Sequence, residues 1–285
     1  MSNVSYNRNI DSIFKYLGIS CTLFGIVMLL IFIGNIVTDG VQRIDWSFLT
    51  NLPSRKAENA GILTAWTGTA WILGLTSIFS IPIGVAAGIY LQEYGMKNRL
   101  ARIVELNIAN LAGVPSIIYG LLGLEIFVRV MNFGGSLLAG SLTLSLLILP
   151  VIIVATREAL RAVPNSLREA SYGMGATKWQ TIWYQILPAA SGGVVTGIIL
   201  ALSRAVGETA PLIVIGALAY VPFVAKSPMD EFTVLPIQIF NWVSRPQPEF
   251  LTNGAAAIII LLLLTFIMNG IAVYLRNKWQ KKISW

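Results

Sequence analysis

Histidine is absent from the 285-residue chain, and cysteine occurs once, at Cys21. Zinc sites, imidazole-ligated haem and His-based triads draw on residues that are missing or nearly so. A disulfide within the chain is excluded, and Cys21, set in an apolar run, reads as a small buried hydrophobe. Charge is scarce as well, 12% of residues against about a quarter in soluble domains. With 55% hydrophobic residues and a mean hydropathy of +0.72, the chain has too little polar surface to cover a water-soluble globule. Its solvent is mostly lipid.

Long apolar runs are what the sequence has in abundance. About 20 apolar residues suffice to cross the hydrocarbon core as a helix. Six runs qualify, at 17–37, 62–91, 108–128, 137–156, 192–219 and 255–275. The first is longer than a signal-peptide core and closes on Asn35-Ile36-Val37-Thr38-Asp39 with no small-residue cleavage site, so it reads as a retained span. Pro82 and Pro211 interrupt the second and fifth runs, where tilt or kinks are expected. The expected fold is an all-α integral membrane protein with six transmembrane helices. Residues 1–60 hold the first helix and an external loop, 61–275 the core, and 276–285 a tail.

The positive-inside rule orients these spans. With the N-terminus inside, the internal segments carry Arg8 and Lys15, then Lys97, Arg99 and Arg102, then Arg157, Arg161, Arg168 and Lys178, and finally Arg276, Lys278, Lys281 and Lys282. That is 13 of the 20 basic residues; six fall outside, and Arg204 alone falls within a span. Both termini are expected to be cytoplasmic, and the net charge of +7 needs no nucleic-acid partner. The external stretches are 38–61 and 220–254. The second contains an amphipathic segment, 232–243, whose Trp242 suits a place on the outer surface or over a pore.

The longest internal loop, 157–188, is patterned rather than floppy. Pro164-Asn165-Ser166 opens a helix, Gly173-Met174-Gly175 breaks it, and Thr177 followed by Gln180 forms a capping box for a second helix returning at Leu187-Pro188. Such a hairpin suits either insertion into a partner's groove or attachment to a lipid surface.

Arg204 and Glu208 are spaced i, i+4 in the fifth run, about 18 Å and 24 Å along a straight helix from Gly192 at 1.5 Å per residue. Ionisable residues at such depth are costly and point to function. They form either a static ion pair or a site where Arg204 offers its two-pronged guanidinium to an oxyanion, with Glu208 holding it ready and limiting how tightly the anion binds. Thr209, one residue on, is a weaker candidate. Glu125 and Arg129 form a second such pair near the outer end of the third run, as snorkelling residues or at a pore mouth. Pro115 and Pro82 read as kinks.

The loop's Glu169-Ala170-Ser171, Gly175 and Leu187-Pro188 resemble the E-A-A-x-x-x-G-x9-I-x-L-P signature of ABC importer permeases, with Ser171 in place of the second alanine and Gln185 at an apolar position. The blocks Glu158-Ala159-Leu160-Arg161-Ala162-Val163-Pro164, Ser203-Arg204-Ala205-Val206-Gly207-Glu208-Thr209-Ala210-Pro211-Leu212 and 84–94 are similar to the A-type permease of bacterial phosphate-specific transport systems. This resemblance implies the type I permease fold in a bacterial plasma (inner) membrane. It implies ATPase coupling through Glu169, Ala170, Ser171, Gly175 and Ala176, and a translocation pathway at Arg204, Glu208 and Thr209. It also implies a C-type permease partner, a dimer of ATP-binding subunits and an external phosphate-binding protein. No phosphate-binding glycine loop occurs, so the chain would hold no cofactor and ATP with Mg would be bound by the ATPase. A permease for sulfate or molybdate, or a secondary anion transporter, are the alternatives; no nucleophile, base and acid cluster to suggest an enzyme.

Overall fold

In lipid every backbone N–H and C=O must find its partner within the protein, and apolar runs therefore fold as helices. The computed structural model describes residues 2–95, 99–218 and 220–280. Lys97, Lys281, Lys282 and Ala219, as well as the side chain of Arg8, lie outside the described residues. The helices are α1 (Ser2–Gly40), α2 (Trp46–Thr50), α3 (Leu63–Ile89), α4 (Arg99–Leu111), α5 (Ser116–Gly123), α6 (Leu137–Arg161), α7 (Asn165–Gly173), α8 (Lys178–Thr181), α9 (Leu187–Val206), α10 (Ala210–Ile215), α11 (Leu235–Val243) and α12 (Glu249–Gln280). Wider π-helical turns extend α3 through Tyr90–Tyr94, α5 through Leu124–Val130 and α8 through Ile182–Ile186. Among the described residues the one β-type pairing is a bridge between Ser136 and Glu231.

Five helical stretches are long and apolar enough to cross a membrane, and the α4–α5 pair makes a sixth when counted as one span. That third span differs from the single helix expected at 108–128, because it bends by 107° between α4 and α5. Pro115 has no N–H to continue the helix, and the chain closes through tight turns, Gly113 N to Asn110 O at 3.0 Å and Val114 N to Leu111 O at 3.1 Å. The Tyr119 hydroxyl then donates to the Leu111 carbonyl at 2.9 Å, fastening the elbow.

The fifth run departs from expectation in the same way. Instead of one crossing over 192–219, α9 stops at Val206 and α10 begins at Ala210. Pro211 cannot donate to the Gly207 carbonyl, and its ring would collide with it in a continuous helix. The two irregular places meet: a Cβ on Gly120 of α5 would come within 2.7 Å of Pro211 Cα.

The centre of the bundle is α6, flanked by α3 and α9. Small residues let the backbones approach, as is common where lipid leaves no hydrophobic drive between helices. A Cβ on Gly88 would lie 2.7 Å from Thr156 Cβ, and one on Gly197 would lie 2.2 Å from Ala155 Cβ. Buried hydroxyls mostly bond back to their own helix, but Thr76 donates to Ser141 O and Ser145 to Thr76 O, both at 3.3 Å, joining α3 to α6.

At one end a cap covers the bundle. Phe48, Trp242 and Phe250 form a fully buried aromatic cluster with Leu235 and Ala256. Trp242 is therefore a core anchor and not the surface aromatic suggested by amphipathicity; α11 lies under the loops, with Leu235, Ile237 and Gln238 also buried. Arg43 stitches the cap together, donating to Asn253 Oδ1 at 3.1 Å, Glu58 O at 2.7 Å and Ala60 O at 3.0 Å. Two carboxylates cap turns there. Asp45 accepts from Phe48 N at 2.6 Å and Ser47, and Asp230 accepts from Lys226 N and Ser227 N, and these bonds hold both below the ordinary carboxylate pKa. Cys21 corrects another expectation. It is a free thiol on an exposed face of α1, because α1 leans chiefly on α12 and the rest of the bundle leaves its sides uncovered.

Candidate translocation and coupling sites

The α9–α10 break places a charged pair where a transmembrane helix is interrupted. Gly207 N bonds to Arg204 O at 3.2 Å and Glu208 N to Ala205 O at 3.3 Å, so the last turn tightens before the helix stops. Arg204 and Glu208 still meet across that turn, Nε to Oε1 at 3.3 Å. Their surroundings are unequal. The Glu208 side chain is 16% exposed, tucked against Thr69, Ile72, Leu73 and Val234, whereas that of Arg204 is 46% exposed. Glu208 holds Nε, which leaves the terminal guanidinium nitrogens without a hydrogen-bond partner among the described residues. Such an arrangement can present two N–H donors to a planar or tetrahedral oxyanion.

Thr209 begins α10. Its hydroxyl bonds to the Gly207 carbonyl at 3.4 Å, and its own carbonyl accepts from Ile213 N at 3.1 Å. Glu125 and Arg129 also meet, at 2.9 Å, on the π-helical extension of α5 with side chains 60% and 65% exposed. They are separate from the Arg204 pair and lie on the surface of the chain. Tyr119 is a neighbour of Arg204 that sequence inspection passed over. It packs in one cluster with Ala205 while fastening the α4–α5 elbow.

The hairpin forms from local signals. Pro164 precedes α7, and α7 ends in a glycine motif: Gly175, with φ of +83°, donates to Tyr172 O at 2.9 Å, and Ala176 donates to Ser171 O at 3.2 Å. Thr177 and Gln180 cap α8 reciprocally. Ser171 and Thr181 share a hydrogen bond of 2.9 Å between the limbs, a contact that alanine at 171 would lack. Glu169, Ala170 and the tip residue Met174, 88% exposed, face outward, and Trp179 and Trp183 stack at 5.7 Å on the exposed side of the second limb. An open apolar cavity of about 740 Å³ separates α7 from the ends of α6 and α9, lined by Ala159, Leu167, Ala170, Ala189 and Gly193 among others.

Ion pairs gather at this end. Arg168 reaches Glu93 at 2.8 Å, with side chains only 14% and 7% exposed, and Arg157 reaches Glu105 on α4 at 2.6 Å. Charge counting had marked Arg157 and Arg168 for their side of the membrane; their partners, 75 positions away for Arg168, carry no local signal.

A helical bundle with five to six candidate spans, a charged break in one of them and a helical hairpin at one end is the architecture of a membrane transport subunit. Solved structures share the fold: a methionine ABC transporter, MetNI (TM-score 0.61, 21% identity, 76% of this chain and 95% of that one), and a bacterial alginate ABC transporter (TM-score 0.68, 15% identity, 93% and 95%). Residues 80–281 match the family described as binding-protein-dependent transport system inner membrane component, and the chain belongs to that family. Similar proteins include the phosphate transport system permease protein PstA of Yersinia pestis (32% identity, 94% of this chain, 90% of that protein) and of Haemophilus influenzae (34%, 88% and 87%). The probable ABC transporter permease protein YqgI of Bacillus subtilis is 31% identical over 87% of this chain and 89% of its own length.

Proposed function

We propose that the chain is the permease subunit of an ATP-driven importer of inorganic phosphate, forming half of a translocation pathway in the bacterial inner membrane. The observation that carries this reading is the half-exposed guanidinium of Arg204 beside a covered Glu208 at a break in a membrane helix. That the PstA relatives are phosphate transport permeases supports phosphate as the anion. A dianion reaching Arg204 would replace solvent around the free guanidinium nitrogens, and the nearby Glu208 carboxylate would repel it enough to allow release.

The second half of the pathway is a C-type permease subunit. Cytoplasmic ATPase subunits receive the hairpin, with Glu169, Ala170, Ser171, Gly175 and Ala176 shaping the coupling knob, and they bind ATP and Mg. An external phosphate-binding protein docks at the opposite end, over α2 and the loops around α11. In this orientation both termini and the hairpin are cytoplasmic.

The test is uptake of radiolabelled phosphate and sulfate into vesicles holding the complete complex, with and without ATP. ATP-dependent phosphate uptake that excess sulfate does not suppress is expected. Preferential sulfate uptake would overturn the substrate assignment, and uptake without ATP would favour a secondary transporter.

A further inference from the structure

Apolar burial of the hairpin is concentrated at its return to the bundle, where Ile182 and Ile186 are buried and Leu167 packs on the Leu160–Val163–Ile186 cluster; α7 buries none of its residues fully and α8 only Thr181. The 740 Å³ cavity leaves α7 standing off α9. Polar contacts to one place at the end of α3 tie both limbs beyond that apolar seat. From the first limb, Arg168 binds Glu93 at 2.8 Å while its guanidinium also donates to Leu160 O at 2.9 Å and Val163 O at 2.8 Å. From the second limb, the Lys178 ammonium donates to the Glu93 carbonyl and sits 4.4 Å over the Tyr94 ring. Both limbs thus grip the π-helical turn Tyr90–Tyr94 that ends α3.

We propose that Glu93 is a positioning residue for coupling, a latch through which force on the hairpin passes non-covalently into α3. This rests on the reading of the hairpin as the ATPase contact. A carboxylate and guanidinium covered this far from solvent hold each other's orientation, because separating them leaves both charges poorly solvated. The α3 helix continues from the latch along α6 to the cap, where Leu235 N bonds to Thr69 Oγ1 at 2.9 Å, so its displacement reaches both ends of the bundle. A neutral side chain of the same shape would keep the Lys178 contact to the Glu93 backbone but lose the charge pairing with Arg168, so the first limb would follow α3 less tightly.

The experiment uses the complete importer complex in proteoliposomes, comparing wild type with Glu93→Gln. Inorganic phosphate taken up per ATP hydrolysed should fall about tenfold, within the usual range of coupling between sites, while ATP hydrolysis stays within about twofold of wild type. Amide hydrogen exchange on the same complexes should quicken across α7 and stay unchanged in the middle of α9. Arg168→Lys, which keeps the charge but loses the fork, should give an intermediate ratio. Uptake and hydrolysis falling in proportion, or both staying unchanged, would overturn the latch, as would unaltered exchange in α7. A wild-type complex that hydrolyses ATP but takes up no phosphate would instead defeat the proposed substrate, and the exchange comparison would still decide the latch.

Discussion

Arg204 shows what a single residue can and cannot announce from sequence. Its position in an apolar run and the glutamate four residues on were enough to single out the pair, because charge in lipid is costly wherever the helix goes. The unequal exposure of the two side chains was hidden, since it depends on residues of α3 and on Val234, far away in sequence. That inequality leads to a prediction. Arg204→Gln should lower phosphate uptake by between about tenfold and about a hundredfold, as loss of a charge-assisted contact worth about 1.5–3 kcal/mol implies, while membrane abundance stays within about twofold. Arg204→Lys should recover only part, because an ammonium cannot present two parallel N–H groups. Uptake and immunoblot abundance measured side by side check this. Equal losses of both would mark the pair as a structural ion bridge.

Elements differed in legibility according to where their causes lie. The hairpin was readable because proline, glycine and the Thr177–Gln180 box act within a few residues. The sequence also suggested a break spread over Gly173-Met174-Gly175, whereas the structure needs glycine at one of those positions: Gly175 alone has positive φ there. The bent third span and broken fifth span were visible only as prolines in continuous apolar runs, since hydropathy does not fall where a helix stops inside protein. A Cβ at Gly175 would meet nothing within 4 Å, so any penalty for substitution comes from the backbone. Gly175→Val should cost about 1–2 kcal/mol in that left-handed conformation and loosen the end of α7, lowering uptake per ATP. Gly175→Asn, which also adds a branched side chain but tolerates that conformation, should retain most coupling. Paired uptake and ATPase assays on the two variants check this; equal impairment would mean that the knob's shape, not its turn, is what the partner reads.

At the scale of the whole molecule the two ends are built differently, and this makes orientation testable. One end is an aromatic cap pinned by Arg43, the other a charge-laced face where Glu93, Glu105, Arg157 and Arg168 pair. In the proposed orientation, which follows the positive-inside rule, the second end is cytoplasmic, and six crossings would put both termini on that side. Single cysteines can report it, provided that the exposed native thiol is first removed by Cys21→Ser. Trp46, on α2 in the cap and 79% exposed, and Met174, at the hairpin tip and 88% exposed, are suitable positions because neither side chain is packed in the chain. In right-side-out vesicles a membrane-impermeant maleimide should label Trp46→Cys and spare Met174→Cys; in inverted vesicles the pattern should reverse. In the assembled complex Met174→Cys should stay protected even in inverted vesicles, because the ATPase would cover it, and stripping that subunit should restore labelling. Labelling of both sites from one side would break the six-crossing count, and the bent third span would then be the first place to revise, as a re-entrant loop that returns to the side from which it entered.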